Sequence, residues 1–418
     1  MGEQSTGAGS DTEAADEVDL TDAEVVQDPY PFFAARRGST PVFRSEALDA
    51  WVVTRYDQVE AIVTDHQRFS NAAAIHPPPG LDPAAGRLLE GFGWRPNFDT
   101  DPPEHTRIRQ AVMQAFTARR VAALEDRIRR VAHELIDGIE QDHQADMVTA
   151  YCLPLPARVI FGMLGVPDED LDRVHHWTSR FIELYVAQIV DGHDVARAED
   201  CVAYWEYCLD LIAERAAAPG DDLISGLVLG TTEGGAMAVE PPLTPEEIAS
   251  IGMLLVVAGH ETTANLLGNL LRHLLADPGR WEAVRRDPAL LPSATEEALR
   301  LDAPVQVLHR VTTCPVTLDG MDLPAGAKVL IPFGAANHDE GVFDDPDTFD
   351  LHRRRASRHL AFSKGVHHCL GAPLARLEAR VALEVLAERL PGLRLGDREI
   401  RYRPIFSIRS LESLHVVW

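Results

Sequence analysis

The clearest run of alternating faces in this chain is helical and extends from Thr244 to Asp277. Thr244-Pro245-Glu246-Glu247 reads as a capping box with proline at the first helical position, and Asp277-Pro278-Gly279 reads as the stop. About 32 residues at 1.5 Å each span roughly 48 Å, enough to cross a whole domain. Between Ile251 and Ala258 the helix is apolar on every face, which predicts burial. A second period, Leu370, Leu374, Leu377, Val381 and Val385, predicts a helix opening just after Leu370. Further helical stretches are expected over 56–64, from 104 to about 140 with an interruption near Thr117, over 168–190 and over 194–217. Strand signals are short: Trp51-Val52-Val53-Thr54, pieces between 316 and 332, and one near the C-terminus. Residues 72–99, rich in Pro and Gly, read as a long irregular loop, and 230–242 as a second break. The predicted class is mainly α with a small β portion.

Composition changes this picture little. The 418 residues are 45% hydrophobic and 25% charged, which is ordinary for a globular protein. No linker interrupts 28–418, so one domain is expected there. Residues 1–27 read as a disordered acidic leader, because the first thirty positions carry nine Asp and Glu and no Lys or Arg. That leader lacks the basic and apolar regions of a secretory signal, and no stretch reaches eighteen apolar residues, so a cytoplasmic protein without a membrane anchor is expected. A net charge of −26 argues against a nucleic-acid partner. Cys152, Cys201, Cys208, Cys314 and Cys369 show no paired spacing, which fits reduced thiols.

Candidate chemistry sits at two places. In Phe362-Ser-Lys-Gly-Val-His-His-Cys-Leu-Gly371 one cysteine stands between two glycines at the entrance of a helix. Gly365 and Gly371 allow a tight turn, and the helix N-terminus favours an anion, so Cys369 is placed to be a metal-ligating thiolate. Other readings are a buried structural cysteine, or zinc held by His367, His368 and Cys369, whose adjacent positions suit a tetrahedral ion poorly. The second place is Ala258-Gly-His-Glu-Thr-Thr263, polar groups inside the apolar run of the long helix. Gly259 weakens the helix, and a mid-helix Thr bends it by bonding a preceding carbonyl, so a local widening with room for a small ligand is expected. An acid beside an alcohol, Glu261 and Thr262, suits proton transfer. The plainer alternatives are that Glu261 pairs with a buried Arg and Thr263 packs. Glu297 and Arg300, at i and i+3, share a helix face, as do His105 and Arg109 at i and i+4.

These stretches resemble the motifs of the cytochromes P-450. F-x-x-G-x-H-x-C-x-G is similar to the family's haem-ligand loop at Phe362, Gly365, His367, Cys369 and Gly371, and A-G-x-[DE]-T-[TS] to its oxygen-activation motif at Ala258, Gly259, Glu261, Thr262 and Thr263. Glu297-Ala-Leu-Arg300 resembles the structural E-x-x-R pair, and His105-Thr-Arg-Ile-Arg109 the H-x-x-x-R that reaches the haem propionates. Ser363 departs from a frequent glycine, and Arg353-Arg-Arg355 stands where a proline is common. The resemblance runs from about residue 28 to the end, in the order of soluble bacterial members. It implies the cytochrome P-450 fold, with the long central helix over haem b (iron protoporphyrin IX). It further implies Cys369 as axial ligand, Thr262 and Glu261 in oxygen activation, and His105, Arg109, Arg310 and His367 on the propionates.

The implied activity is monooxygenation: one atom of O2 enters a hydrophobic small molecule by hydroxylation or oxidative dealkylation. Electrons would come from a ferredoxin and an NAD(P)H-dependent ferredoxin reductase. A peroxide-driven peroxygenase and a non-enzymatic haem sensor are the alternatives, and the Glu261–Thr262 pair weighs against both. By the same resemblance the substrate pocket includes the 72–99 loop, Leu255, Ala258, Val305, Val307, Leu308, Phe406, Ser407 and Ile408. Arg353, Arg354, Arg355, Arg358 and Lys364 crowd a segment with no acid among residues 351–377, an expected docking face for an acidic donor.

Overall fold

The helix that starts after Thr244 spans Pro245–Leu275 in the computed structural model, which describes residues 19–72, 77–78, 80–90, 92–94, 99–186, 189–230 and 237–418. Its capping box closes both ways: the Glu247 N–H donates to Thr244 Oγ1 at 3.2 Å, and the Thr244 N–H to Glu247 Oε2 at 2.8 Å. From Ile248 to Val257 every side chain is buried. The apolar collar consists of the helices Pro154–Leu164, Asp194–Ala217, Leu291–Leu301 and Ala372–Arg389, all packed against this axis. Gly259 matters to that packing, because a Cβ there would stand 3.3 Å from the Ile160 side chain.

The β portion lies to one side. A five-stranded sheet runs in the order Val42–Ser45, Ala50–Val53, Lys328–Pro332, Val307–Thr312 and Phe69–Ser70. Trp51 pairs with Val329 in parallel, and Val329 pairs with Arg310 antiparallel. Along Val307–Thr312 the side chains alternate, so Leu308 and Arg310 leave the face opposite to Val307. A smaller sheet joins Gln144–Asp146, His415–Val417 and Arg394–Leu395.

Most helix boundaries follow the sequence pattern. Tyr56–Thr64 and Asp194–Ala217 are helical as read, and the break near Thr117 separates Gln114–Phe116 from Ala118–Ala122, where the Thr117 hydroxyl caps the new helix. Three expectations need correction. The 72–99 stretch holds a helix, Pro83–Glu90, whose buried Ala85 faces the Asp194–Ala217 helix. The expected widening at Gly259 is not there: the long helix continues as α through the motif. The acidic leader also ends earlier than residue 27, since Leu20, Val25 and Val26 are buried and Ala23–Gln27 is helical. Residues 1–18 of that leader, 73–76, 79, 91 and 95–98 of the loop, and 231–236 of the second break lie outside the described residues. Among the described residues, no helix is long and apolar enough to cross a membrane.

Candidate active site

The Cys369 loop is shaped by two left-handed residues. Gly365 has φ +68°, and a Cβ on it would press to 3.1 Å from the Val63 carbonyl oxygen, so the loop lies flat on the end of the Tyr56–Thr64 helix. Ser363 takes φ +55° although it has a side chain, at the position where a glycine was the commoner expectation. The Cys369 N–H closes the loop on the Phe362 carbonyl at 2.8 Å. Burial pushes the Cys369 thiol up, while N–H bonds from Gly371 and Ala372 and the charges of Arg109 and Arg376 draw it down. The net effect leaves the thiol above its ordinary value; the donors, at the start of the Ala372–Arg389 helix, are the part of the site that favours the thiolate. Cys152, Cys201 and Cys208 are held far above the ordinary thiol range, first by burial.

Across from the sulfur, the long helix presents Ala258 and Thr262. Ala258 is exposed in the middle of a buried helix because it faces a cavity. The Thr262 hydroxyl donates to the Ala258 carbonyl at 2.6 Å. The cavity, about 340 Å³, separates Ala258, Gly259, Thr262 and Thr263 from Cys369, and its remaining wall is mostly apolar: Phe116, Ile160, Leu254, Leu255, Leu308 and Leu374. That volume falls within the usual range for small-molecule and cofactor sites. Glu261 lies just beside it, its carboxyl raised by burial against the opposing charge of Arg403.

One rim of the cavity is basic. His105, Arg109, Arg310 and His367 all line it. The His105 and His367 rings approach to 4.2 Å between centroids. Burial and then Arg109 lower His105 to about 4, and burial, His105 and Arg310 lower His367 to about 3. Burial also brings Arg310 down to about 10, with Asp101 opposing. Arg109 donates to the His368 carbonyl at 2.7 Å. Among the described residues His367 Nε2 is buried with no hydrogen-bond partner. A rim holding two arginines and two histidines against Asp101 is short of negative charge, and two carboxylates would supply it. The donor set therefore fits haem b, whose propionates this rim would hold and whose iron Cys369 would ligate. The zinc reading has no support, since no group of three or more potential ligands is found among the described residues.

Not every expected wall residue is here. Leu255, Ala258 and Leu308 line the cavity; Val305, Val307, Phe406, Ser407 and Ile408 do not. Val307 is on the other face of its strand, 4% exposed in a cluster with Phe33, Phe43 and Val52, and Phe406 packs on the same cluster. Val305 bridges to Ile408, and the Ser407 carbonyl accepts the Gln306 N–H at 2.8 Å. The sequence reading took a strand as one wall, whereas only alternate residues can face it. Phe116, Ile160 and Leu254 were missed, for they sit in apolar helical runs with nothing to mark them.

Glu297 and Arg300 are fully buried and joined at 2.8 and 2.9 Å. Arg353 completes this group through Glu297 Oε1 at 2.7 Å, so it turns inward and does not belong to the basic surface. Lys364 is engaged by Glu60 and by the Tyr56 hydroxyl. Arg354, Arg355 and Arg358 remain exposed. A second, larger cleft of about 800 Å³ opens elsewhere, around Asp302, and contains none of these residues.

Residues 52–390 match the family model described as Cytochrome P450. The chain is 37% identical to Cytochrome P450 107B1 of Saccharopolyspora erythraea, covering 91% of this chain and 93% of that protein. It is 38% identical to Cytochrome P450 monooxygenase PikC of Streptomyces venezuelae, covering 94% and 91%. Among solved structures, cytochrome P450 CREJ in complex with (4-ethylphenyl) dihydrogen phosphate superposes with TM-score 0.89 at 32% identity, over 97% of this chain and 100% of that one.

Proposed function

The chain belongs to the cytochrome P450 family of haem-thiolate monooxygenases, and from that premise we propose that it oxidises a hydrophobic small molecule with electrons from a separate ferredoxin. The observation that carries the substrate class is the wall above the cation rim: Leu254, Leu255, Ala258, Ile160 and Leu308 offer apolar surface and few polar handles. When bound, haem supplies the iron at which O2 is activated for transfer of one oxygen atom.

The chain's own residues do the rest. Cys369 would ligate the iron through its sulfur: burial holds the free thiol above its ordinary value, and the Gly371 and Ala372 N–H groups with Arg109 and Arg376 act against that burial, on the side of the thiolate. His105, Arg109, Arg310 and His367 would hold the propionates of the bound cofactor. Ala258 leaves space beside Thr262, whose hydroxyl is anchored by the Ala258 carbonyl and keeps its lone pairs for an ordered water. Glu261, with its carboxyl raised by burial, holds a proton more readily than an exposed acid and can pass it toward Thr262. The apolar wall excludes bulk water from the reacting atoms.

A library of apolar and of charged, hydrophilic compounds, screened for the low- to high-spin shift of the haem, tests the substrate reading. Hydrophobic scaffolds are expected to give the shift, and turnover with a surrogate ferredoxin and reductase should follow for those that do. A library in which only charged, hydrophilic compounds shift the spectrum would overturn it.

A further inference from the structure

Glu261 heads a polar stripe on a helix that is otherwise apolar. Asn265 follows one turn later, Asn269 another turn on, and Arg272 and His273 end the series, all at spacings that share a face. At 1.5 Å per residue the stripe is roughly 18 Å long. Asn265 is 7% exposed and Asn269 0%. Amides buried at this depth cost free energy unless they are satisfied. Asn269 Nδ2 donates to the Arg409 carbonyl at 3.0 Å and to the Asp302 carbonyl at 3.3 Å, which fixes which end of that amide is oxygen. Among the described residues its Oδ1 is buried without a partner, and so is Asn265 Nδ2. The two orphans are complementary, an acceptor and a donor one turn apart. Helical side chains lean toward the N-terminus, so Asn269 leans toward Asn265. One water accepting from Asn265 and donating to Asn269 satisfies both.

The far end of the stripe reaches solvent. Arg272 and His273 donate to Asp302 at 3.2 and 2.6 Å, and Arg409 and Tyr30 hold the same carboxylate at 2.8 and 2.5 Å. This group lines the open cleft of about 800 Å³. Between the cleft and Glu261 the helix thus carries Asn269, whose Nδ2 reaches the Asp302 backbone carbonyl, and Asn265 one turn nearer Glu261, while the flanking positions Leu266, Leu267, Leu270 and Leu271 are buried hydrocarbon. We propose that Asn265 and Asn269 hold buried water between them and that this seam admits protons from the Asp302 cleft to Glu261. Both asparagines are positioning residues. Each water passes one proton on as it takes up another, so nothing is consumed. The proposal rests on the reading of Glu261 as the proton relay.

Two measurements on the haem-loaded protein test it. A crystal structure is expected to show ordered water within hydrogen-bond distance of both asparagine side chains, and a dry gap between them overturns the proposal. The second measurement is peroxide released per NADPH oxidised, with a surrogate ferredoxin and reductase, in H2O and in D2O. Asn265→Leu should raise the peroxide yield several-fold and enlarge the solvent isotope effect, with haem content unchanged, and Asn265→Asp should restore both. Wild-type values in Asn265→Leu, where Glu261→Gln does move them, overturn the seam alone. An unmoved Glu261→Gln brings down the relay reading, and the seam with it. Should Asn265→Leu fail to load haem, the crystallographic water decides.

Discussion

Cys369 differs from the other buried cysteines in what faces its sulfur: two N–H groups at a helix start and two arginines. All of that is local in sequence except Arg109, and local spacing is what a motif records. The same holds for Thr262, whose partner carbonyl is one turn away. Thr262→Ala should keep haem and substrate binding while diverting electrons to peroxide, because the hydroxyl that organises water is lost; coupling of NADPH oxidation to product checks this, and unchanged coupling would contradict it. Residues whose role depends on which way a strand faces were less legible. Val307 and Leu308 are adjacent and equally apolar, and only the alternation against Arg310 sends one to the core and the other to the cavity. The inward turn of Arg353 was equally hidden, since its partner Glu297 is 56 positions away.

At the scale of elements, capping chemistry and periodicity located the long helix and its neighbours, and failed where composition misleads. Pro83–Glu90 forms a helix inside a stretch dominated by Pro and Gly because Ala85 finds a surface to pack on and the Asp82 carboxylate accepts the Ala84 N–H at 2.7 Å. The widening expected at Gly259 gave way to simple close packing against Ile160. The Leu291–Leu301 helix is tied to the chain leading into the thiolate loop by Glu297, which holds Arg300, Arg353 and the Asp350 N–H. Removing one member leaves buried charge uncompensated, so Glu297→Ala should cost about 3–5 kcal/mol. Denaturant unfolding measures it, and a loss under about 1 kcal/mol would show a dispensable brace.

For the whole molecule, charge distribution is the informative quantity. On a chain of net −26, Arg354, Arg355 and Arg358 form an exposed basic segment close to the thiolate loop, and Arg119 and Arg120 are exposed on a short helix that packs against the Ala372–Arg389 helix. Replacing Arg354 and Arg358 by Glu should slow reduction by a ferredoxin, most at low salt, while dithionite still reduces the haem. Stopped-flow reduction at two ionic strengths checks this, and equal rates would remove the docking role. Glu378 acts on stability instead. It is fully buried on the Ala372–Arg389 helix, and burial alone raises its carboxyl to about 8. The folded state thus keeps a proton that the unfolded chain releases, and stability falls as pH rises from the ordinary carboxylate range to about 8. Glu378→Gln should be more stable than the parent by a margin that grows over that window and then levels, read as the difference in Tm at pH 5 and pH 8.5; a margin independent of pH would contradict it.

We propose Cys369 as the thiolate ligand of a haem that would sit between the Ala372–Arg389 helix and the long helix. The absorption spectrum of the CO-bound ferrous protein tests it most directly. The parent and the variants Cys152→Ala, Cys201→Ala, Cys208→Ala and Cys314→Ala should all show the red-shifted Soret band of thiolate ligation, and Cys369→Ser should lose it; a normal red-shifted band in Cys369→Ser would contradict the account.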